Sequence, residues 1–270
     1  MTIALIDADI IAMQAASMAT RRDPFDSTKM IDLPFDDVKH MAQSEIDRIN
    51  SRLNSRKFLL VFSPDSRRNF RTMVSSTYKN QRKPNDKPTH YWPLVRWMRE
   101  EMPSLSLEGV EGDDLLGILH TRDLNSDSVV CSTDKDMKTV PGMLYNFKKD
   151  ELTKIGIHEA NYNWMFQTLV GDSVDNYLGC PGIGVKRAES ILIPLIYADN
   201  DYQMFLKRQW YEVSRAFEKA YDDEGLGGAQ AIRQARLARI LRANDYNWES
   251  HEIRLWHPTE KVYMPVSQVK

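Results

Sequence analysis

The sequence predicts an α/β fold, in which a parallel sheet is flanked by helices and followed by a mostly helical C-terminal part. Short apolar runs of strand length alternate with amphipathic helical segments over the first 155 residues. That alternation is typical of a mostly parallel sheet covered on both faces. Beyond residue 155 the strand signal nearly disappears. The length of 270 residues fits one large domain, or a core domain with a smaller one attached. We divide the chain into residues 1–160 and 161–270.

The predicted elements follow in order along the chain. Apolar runs predict buried strands at residues 3–6, 58–62, 105–107 and 129–131. Helical spacing of apolar residues predicts helices at 10–19, 37–54, 91–102 and 114–122. In the second half, helices are predicted at 164–170, 186–196, 202–221 and 229–243.

Composition excludes some classes of protein. No apolar run approaches the roughly 18 residues that a membrane helix needs. The first residues lack a basic leader and are interrupted by Asp7 and Asp9, which argues against a signal peptide. The two cysteines, Cys131 and Cys180, have no metal-type spacing. We therefore expect a reduced, cytoplasmic protein that does not bind membranes.

Charge is distributed unevenly, although the net charge is only −2. Residues 66–87 contain seven basic residues and one acid; the basic residues are Arg67, Arg68, Arg71, Lys79, Arg82, Lys83 and Lys87. Such a local excess attracts phosphates, but it is equally typical of a solvated loop. Four arginines at every third position, 233 to 242, leave the same two alternatives, with the solvated face favoured.

Acidic residues follow each predicted strand. They are Asp7 after the first, Asp65 after the second, Glu111, Asp113 and Asp114 after the third, and Asp134 and Asp136 after the fourth. Ligands of an open parallel sheet bind beyond the carboxyl ends of its strands. Crowded carboxylates raise one another's pKa values unless a cation is present, and Mg²⁺ or Mn²⁺ prefers oxygen ligands. One such acid alone is more often a helix cap than a metal ligand, but the joint pattern predicts a metal cluster.

The second half adds two motifs. Asp172 and Asp175 lie three residues apart and would share a helical face. Residues 179–186 form a glycine-rich turn leading into a helix, with Gly182 and Gly184 near its centre. Such a turn can expose N–H groups to a phosphate, or it can use glycine only for its backbone angles. The following Lys186 and Arg187 favour phosphate binding.

The ordered motifs together resemble the flap-endonuclease superfamily of 5′ nucleases, and more closely the gene-6-type 5′→3′ exonucleases of podoviruses. The matching segments are residues 5–7, the acid at 65, and segments 78–82, 111–114, 132–136, 171–176, 181–184, 238–242 and 253–256. The resemblance implies a PIN-like 5′ nuclease core, a helical arch at about 66–88 and a helix-three-turn-helix element at about 168–196. Two features depart from the family: the arch segment is short, and residues 202–228 match nothing in it.

The resemblance also implies roles for individual residues. Asp7, Asp65, Glu111, Asp113 and Asp114 would surround one ion, and Asp134, Asp136, Asp172 and Asp175 a second. Lys79 and Arg82 would act on the scissile phosphate. Residues expected to contact DNA are Arg67, Arg68, Arg71, Tyr78, Lys83, Gly182, Gly184, Lys186 and Arg187. Tyr78 would stack on a terminal base or pack within the arch. A monovalent cation could bind the carbonyls of the glycine-rich turn.

The implied function is a divalent-metal-dependent 5′→3′ exonuclease. Its substrate would be duplex DNA with 5′ ends, and RNA–DNA hybrid as in primer removal. Two Mg²⁺ or Mn²⁺ ions would drive hydrolysis to 5′-phosphate and 3′-hydroxyl products. For a phage-encoded member, the compartment would be the host cytoplasm. The alternatives are a flap endonuclease, a PIN-like RNase and a non-catalytic DNA-binding module.

Overall fold

The structure is a computed structural model. It describes residues 2–23, 25–26, 28, 30–66, 69–81, 87–122, 127–198, 200–221 and 225–259. Within that part of the chain, no helix is both long and apolar enough to span a membrane.

The first half alternates strands with helices. In order, its elements are β1 (Ile3–Asp7), α1 (Ala8–Ala19), β2 (Thr20–Arg22), β3 (Met30–Asp32), α2 (Phe35–Arg52), β4 (Lys57–Val61), α3 (Phe70–Val74), α4 (Tyr91–Glu101), β5 (Ser104–Leu105), α5 (Gly112–Arg122), β6 (Ser128–Cys131), a 3₁₀ turn (Lys135–Thr139), β7 (Gly142–Asn146) and β8 (Glu151–Ile155). The second half contains α6 (Ile157–Val170), α7 (Val185–Ile191), a 3₁₀ turn (Leu195–Tyr197), α8 (Tyr202–Ala220), α9 (Leu226–Ala238) and a 3₁₀ turn (Ala243–Asp245).

One six-stranded sheet has the order β5-β4-β1-β6-β7-β8. Neighbouring strands are parallel except for β8, which pairs antiparallel with β7 at the edge. The predicted α/β fold is therefore confirmed, together with its four strands. The sequence missed β7 and β8, because an edge pair open to solvent needs few apolar residues. In β8, only Ile155 is fully buried.

Both faces of the sheet are covered. Ala4, Ile6 and Leu60 belong to a core beneath α1, α2 and α4. Leu5 and Val61 point into a second core that contains α5. This alternation explains why β1 and β4 read as continuous apolar runs.

The helical half has its own core, formed mainly by α6, α8 and α9. After α9, however, Ile240 and Leu241 return to the core beside α5. Gly117 of α5 permits this close approach, since a Cβ there would lie 2.3 Å from the Leu241 carbonyl oxygen. The division at residue 160 stays a prediction, and Ile240 and Leu241 connect the helical half to the core beside α5.

The predicted helical arch has one described helix, α3. It is docked on α9: Arg71 Nε donates to the Leu237 carbonyl at 3.0 Å, and Ser75 Oγ accepts from Arg233 Nη2 at 2.7 Å. The arch residues 67–68 and 82–86 lie outside the described part of the chain. Helix α9 ends at Ala238 instead of residue 243, because the backbone becomes extended at Arg239.

Candidate metal and nucleic-acid site

The carboxyl end of β1 supplies the first acid of the site. Asp7 is the N-cap of α1, where its Oδ1 accepts from the Ile10 N–H at 3.4 Å. Its Oδ2 accepts from Ser132 Oγ, at the end of β6, at 2.8 Å. Burial, reinforced by the charge of Asp9, raises the pKa of Asp7 to about 7. The Asp7 carboxyl therefore has an unfavourable charge that a cation would stabilise.

The acid beside Asp7 is Asp9, not the predicted Asp65. Asp9 Oδ2 accepts from the Ser63 N–H at 2.8 Å, and Asp9 Oδ1 accepts from Tyr91 Oη at 3.1 Å. Asp65 instead pairs with Arg99 at 2.9 Å, and its side chain is 70% exposed. The expectation that Asp65 joins the cluster is wrong, because the turn after β4 directs it to Arg99. The sequence interpretation used Asp9 only as an argument against a signal peptide, although Asp9 stands two residues after Asp7.

Three acids gather at the start of α5. The carboxylate oxygens of Glu111, Asp113 and Asp114 lie within 4.8 Å of one another. Burial and the neighbouring acids Asp114 and Glu111 raise the pKa of Asp113 well above its usual range. Burial acts the same way on Glu111, but the charges of Lys79 and Arg71 hold its pKa below the ordinary value.

Arg71 was expected to contact DNA, and the structure contradicts this. Its side chain is 1% exposed and uses all its N–H groups inside the protein. They reach both Asp114 oxygens, Glu111 Oε2 and the carbonyls of Leu237 and Arg239. Asp114 is itself fully buried, and its Oδ1 also accepts from the Leu241 N–H. The predicted role of Asp114 as a metal ligand therefore fits less well than that of Asp113, since hydrogen bonds occupy both its oxygens.

Tyr78 and Lys79 connect the core acids to those of the helical half. Tyr78 Oη lies 2.9 Å from Glu111 Oε2 and 2.9 Å from Asp175 Oδ2. Lys79 Nζ lies 2.6 Å from Glu111 Oε1 and 3.5 Å from Asp175 Oδ2. The backbone of Lys79 is left-handed, with φ of 52°, and its N–H donates to the Asp175 carbonyl. Because Tyr78 is 5% exposed, the stacking prediction is wrong and the packed alternative is confirmed.

The acids after β6 form the opposite side of the site. Asp134 caps the 3₁₀ turn, and its Oδ1 accepts from the Asp136 N–H at 2.8 Å. Asp136 Oδ1 accepts from Gln167 Nε2, on α6, at 2.6 Å. Burial, followed by the charge of Asp134, raises the pKa of Asp136 to about 6. The charges of Asp172 and Asp175 act in the same direction.

Asp172 and Asp175 lie in a tight turn, not on the predicted helical face. Asp172 Oδ1 accepts from the N–H groups of Val174 and Asp175. Asp172 Oδ2 accepts from Lys135 Nζ at 3.1 Å, across from the core. Burial tends to raise the pKa of Asp172, but the hydrogen bond to Lys135 lowers it, and the net result is a pKa below the ordinary value. The turn brings both acids to the edge of the sheet.

The glycine-rich turn is exposed. Gly182 has φ of 71°, and a Cβ at Gly182 or Gly184 would meet no atom within 4 Å. Both glycines, Lys186 and Arg187 are exposed. The turn therefore leaves backbone free for a close ligand, and the DNA contacts of these four residues stay a prediction.

Two groups of basic residues need separate treatment. Some residues predicted to contact DNA lie outside the described residues; they are Arg67, Arg68, Arg82 and Lys83.

In the arginine row at positions 233 to 242, Arg239 and Arg242 are 3% and 5% exposed. They bind Asp245 and Asn161 inside the protein. Both sequence interpretations of the row are therefore wrong for these two residues.

The donor set fits a hard divalent cation. Carboxylate oxygens dominate it, and burial together with neighbouring acids raises the pKa values of Asp7, Asp113 and Asp136. Lys79 supplies one positive charge near the centre. Mg²⁺ and Mn²⁺ bind such oxygen clusters.

Known proteins are similar to this chain over more than half of its length. Residues 2–159 match the family described as 5′-3′ exonuclease, N-terminal resolvase-like domain. The exodeoxyribonuclease of Enterobacteria phage T3 is 30% identical over 212 residues, covering 69% of this chain and 68% of that protein.

Solved structures share the fold. A bacteriophage T5 protein co-crystallised with metal ions is 14% identical, with a TM-score of 0.59, covering 88% of this chain and 89% of that one. The T5 flap endonuclease in a pseudo-enzyme–product complex with DNA and metal ions is 15% identical, with a TM-score of 0.54, covering 88% and 93%. The chain therefore belongs to the 5′-3′ exonuclease family, and it is a 5′→3′ exonuclease that hydrolyses phosphodiester bonds.

Proposed function

We propose that this exonuclease removes nucleotides from the 5′ ends of duplex DNA, and of the RNA strand in RNA–DNA hybrid, with two divalent ions. Its products would carry a 5′ phosphate and a 3′ hydroxyl. One observation carries the proposal: the Tyr78 hydroxyl lies 2.9 Å from Glu111 and 2.9 Å from Asp175. Acids from the sheet and from the helical half therefore share one site, next to the exposed turn.

The family resemblance assigns the acids to two groups, and Tyr78 and Lys79 connect them by contacting Glu111 of one group and Asp175 of the other. Asp7, Glu111 and Asp113 would hold one ion, and Asp134, Asp136, Asp172 and Asp175 the other. We leave Asp65 out of both groups because it is exposed and paired with Arg99. We also leave out Asp114, whose carboxylate anchors Arg71. When bound, a pair of such ions supplies an activated water and stabilises the leaving 3′ oxygen.

Lys79 would contribute charge to the phosphate. Its Nζ is bound to Glu111 and Asp175 and is 18% exposed, so it is at the surface of the acid cluster. A cation that neutralises these two acids would weaken their hold on Lys79. The ammonium group could then stabilise the developing charge on phosphoryl oxygens. Arg82 would assist in the same way.

The glycine-rich turn at residues 179–186 would hold the duplex backbone. Its exposed glycines allow backbone N–H groups to approach phosphates, and Lys186 and Arg187 add positive charge. The T5 relative in complex with DNA supports nucleic acid as the partner. A monovalent cation on the carbonyls of this turn stays a prediction. A PIN-like RNase for single strands would not need the turn.

The test compares two neutralised acids. Asp134→Asn should lower Mg²⁺-dependent release of nucleotides from blunt duplex DNA by on the order of 10²–10³. Asp65→Asn, the matched control, should retain activity because its side chain is 70% exposed and paired with Arg99. Near wild-type activity for Asp134→Asn would sink the proposal.

Flap endonuclease activity is the second candidate, supported by the shared fold with the T5 flap endonuclease. A product ladder from 5′-labelled blunt duplex, flap and RNA–DNA hybrid separates the possibilities. Short labelled products from blunt ends indicate exonuclease action, whereas intact released flaps indicate endonuclease action. A hybrid left uncut would remove RNA from the substrate range.

A further inference from the structure

Gln167 lies outside the predicted site, yet its side chain contacts Asp136, one of the predicted metal ligands. It lies in the last turn of α6, and its Nε2 donates to Asp136 Oδ1 at 2.6 Å. Asp134, the cap of the same 3₁₀ turn, accepts a hydrogen bond from the Asp136 N–H at 2.8 Å. Gln167 therefore fixes the carboxylate of Asp136 from the helical side, while the backbone fixes Asp134 from the loop side.

The opposite end of the Gln167 amide is not satisfied. Its Oε1 is enclosed, and among the residues that the structure describes it has no hydrogen-bond partner. A buried acceptor without a donor is unfavourable by about 1–3 kcal/mol. A glutamine serving only the fold would be expected to satisfy both ends, and this one satisfies only the end facing the carboxylate. Such exceptions gather at functional sites.

Asp136 lies in a mostly negative environment, in which Lys135 is a positive neighbour that favours its charged form. Asp134, Asp172 and Asp175 all oppose its charge, and burial adds to their effect. Without a fixed donor, the carboxylate could rotate away from its neighbours, since repulsion favours separation. The amide of Gln167 contributes a donor without adding a full positive charge that would compete with a cation.

We infer that Gln167 is a positioning residue, which holds Asp136 in the orientation that binds the divalent ion of the proposed function. This inference rests on that function, because it needs a metal at the acids of the 3₁₀ turn. Polar groups that orient metal-binding side chains typically change metal affinity by about 10- to 100-fold when removed. Gln167 contacts the Asp136 carboxylate, so its proposed role acts through that acid.

The chain offers a matched control one helical turn earlier. Asn163 Nδ2 donates to the Lys138 carbonyl at 3.1 Å, so it anchors the same 3₁₀ turn without touching a carboxylate. Gln167→Met and Asn163→Leu each remove one polar contact between α6 and this turn while keeping side-chain size. Gln167→Asn retains the amide but is too short to keep the 2.6 Å contact.

The experiment titrates each full-length variant with Mn²⁺ alone, by calorimetry, and measures unfolding in EDTA. We expect Gln167→Met and Gln167→Asn to weaken Mn²⁺ binding about 10- to 100-fold, and Asn163→Leu to leave it unchanged. Exonuclease assays should show a higher Mn²⁺ requirement, with kcat recovering at high Mn²⁺ and the KM for DNA unchanged. If Gln167→Met does not fold, Gln167→Asn provides the result.

Three outcomes contradict the inference in distinguishable ways. Mn²⁺ binding at wild-type strength in both Gln167 variants overturns the role of Gln167 alone. Equal weakening in Asn163→Leu shows that loop anchoring, not orientation of Asp136, controls affinity, and also overturns it. No binding of Mn²⁺ by the wild-type protein overturns the proposed function itself.

Discussion

Replacing Arg71 by methionine tests whether this residue holds the fold or holds DNA. The substitution keeps an unbranched stem of similar shape and removes a guanidinium group whose contacts all lie inside the protein. The carboxylate of Asp114, 0% exposed, would lose its ion-pair partner. Breaking one side of a buried pair typically costs about 3–5 kcal/mol. We expect that loss in the free energy of unfolding, measured by urea titration in EDTA.

The matched control is Arg52→Met. Arg52 pairs with Asp150 at 2.7 Å, but the two side chains are 48% and 58% exposed. An exposed pair contributes at most about 1 kcal/mol, so Arg52→Met should scarcely change the unfolding midpoint. Adding Asp114→Asn to Arg71→Met should recover part of the lost stability, because no buried charge would then remain unpaired.

The refuting result comes from DNA binding. If Arg71 contacts a phosphate, Arg71→Met should leave stability unchanged and lower the slope of log affinity against log salt by about 1. A loss of stability below about 1 kcal/mol together with such a change in slope would refute the buried placement.

Three further predictions follow from the site. Tyr78→Phe should fold but lose about 10-fold or more in exonuclease kcat, since the bridge between Glu111 and Asp175 is removed; unchanged kcat would contradict the bridging role. Asp7→Asn should stabilise the protein in EDTA at pH 8, by up to about 4 kcal/mol, and not at pH 4. The folded pKa of about 7 exceeds the ordinary 3.8, so the stability due to Asp7 is full below pH 4 and lost as the pH rises through 7. Equal effects at both pH values in urea titrations would contradict this. Lys186→Gln should reduce the salt slope of duplex binding by about 1; an unchanged slope would mean that Lys186 is only solvated.

The sequence predicted the part of the fold that depends on local patterns. Runs such as β1 and β4 are buried on both faces, so their apolar character is visible without knowledge of their neighbours. The positions of Asp7, Asp113 and Asp136 followed from strand ends, since parallel strands end at one edge. Edge strand β8 was missed because half of its environment is water.

The individual roles of basic residues were not predictable in the same way. Arg71 and Lys79 belong to one basic segment, yet one is enclosed by carbonyls of distant residues and the other borders the acids. The difference depends on partners 32 to 168 positions away, such as Glu111 for Lys79 and the Arg239 carbonyl for Arg71. Likewise, the choice between Asp9 and Asp65 depended on the turn after β4, which composition does not encode.

The contacts around Asp114 also bear on how this protein can change during evolution. Helix α5 is tied at this one residue to α3 through Arg71 and to the segment after α9 through the Leu241 N–H. Three stretches of chain, far apart in sequence, therefore have to keep their register together. Insertions are tolerable between them, but substitutions at positions 71 and 114 are expected to covary. A gene fragment that ends before Leu241 would encode a protein in which Asp114 lacks the hydrogen bond from the Leu241 N–H. We therefore expect the two halves to be inherited as one unit.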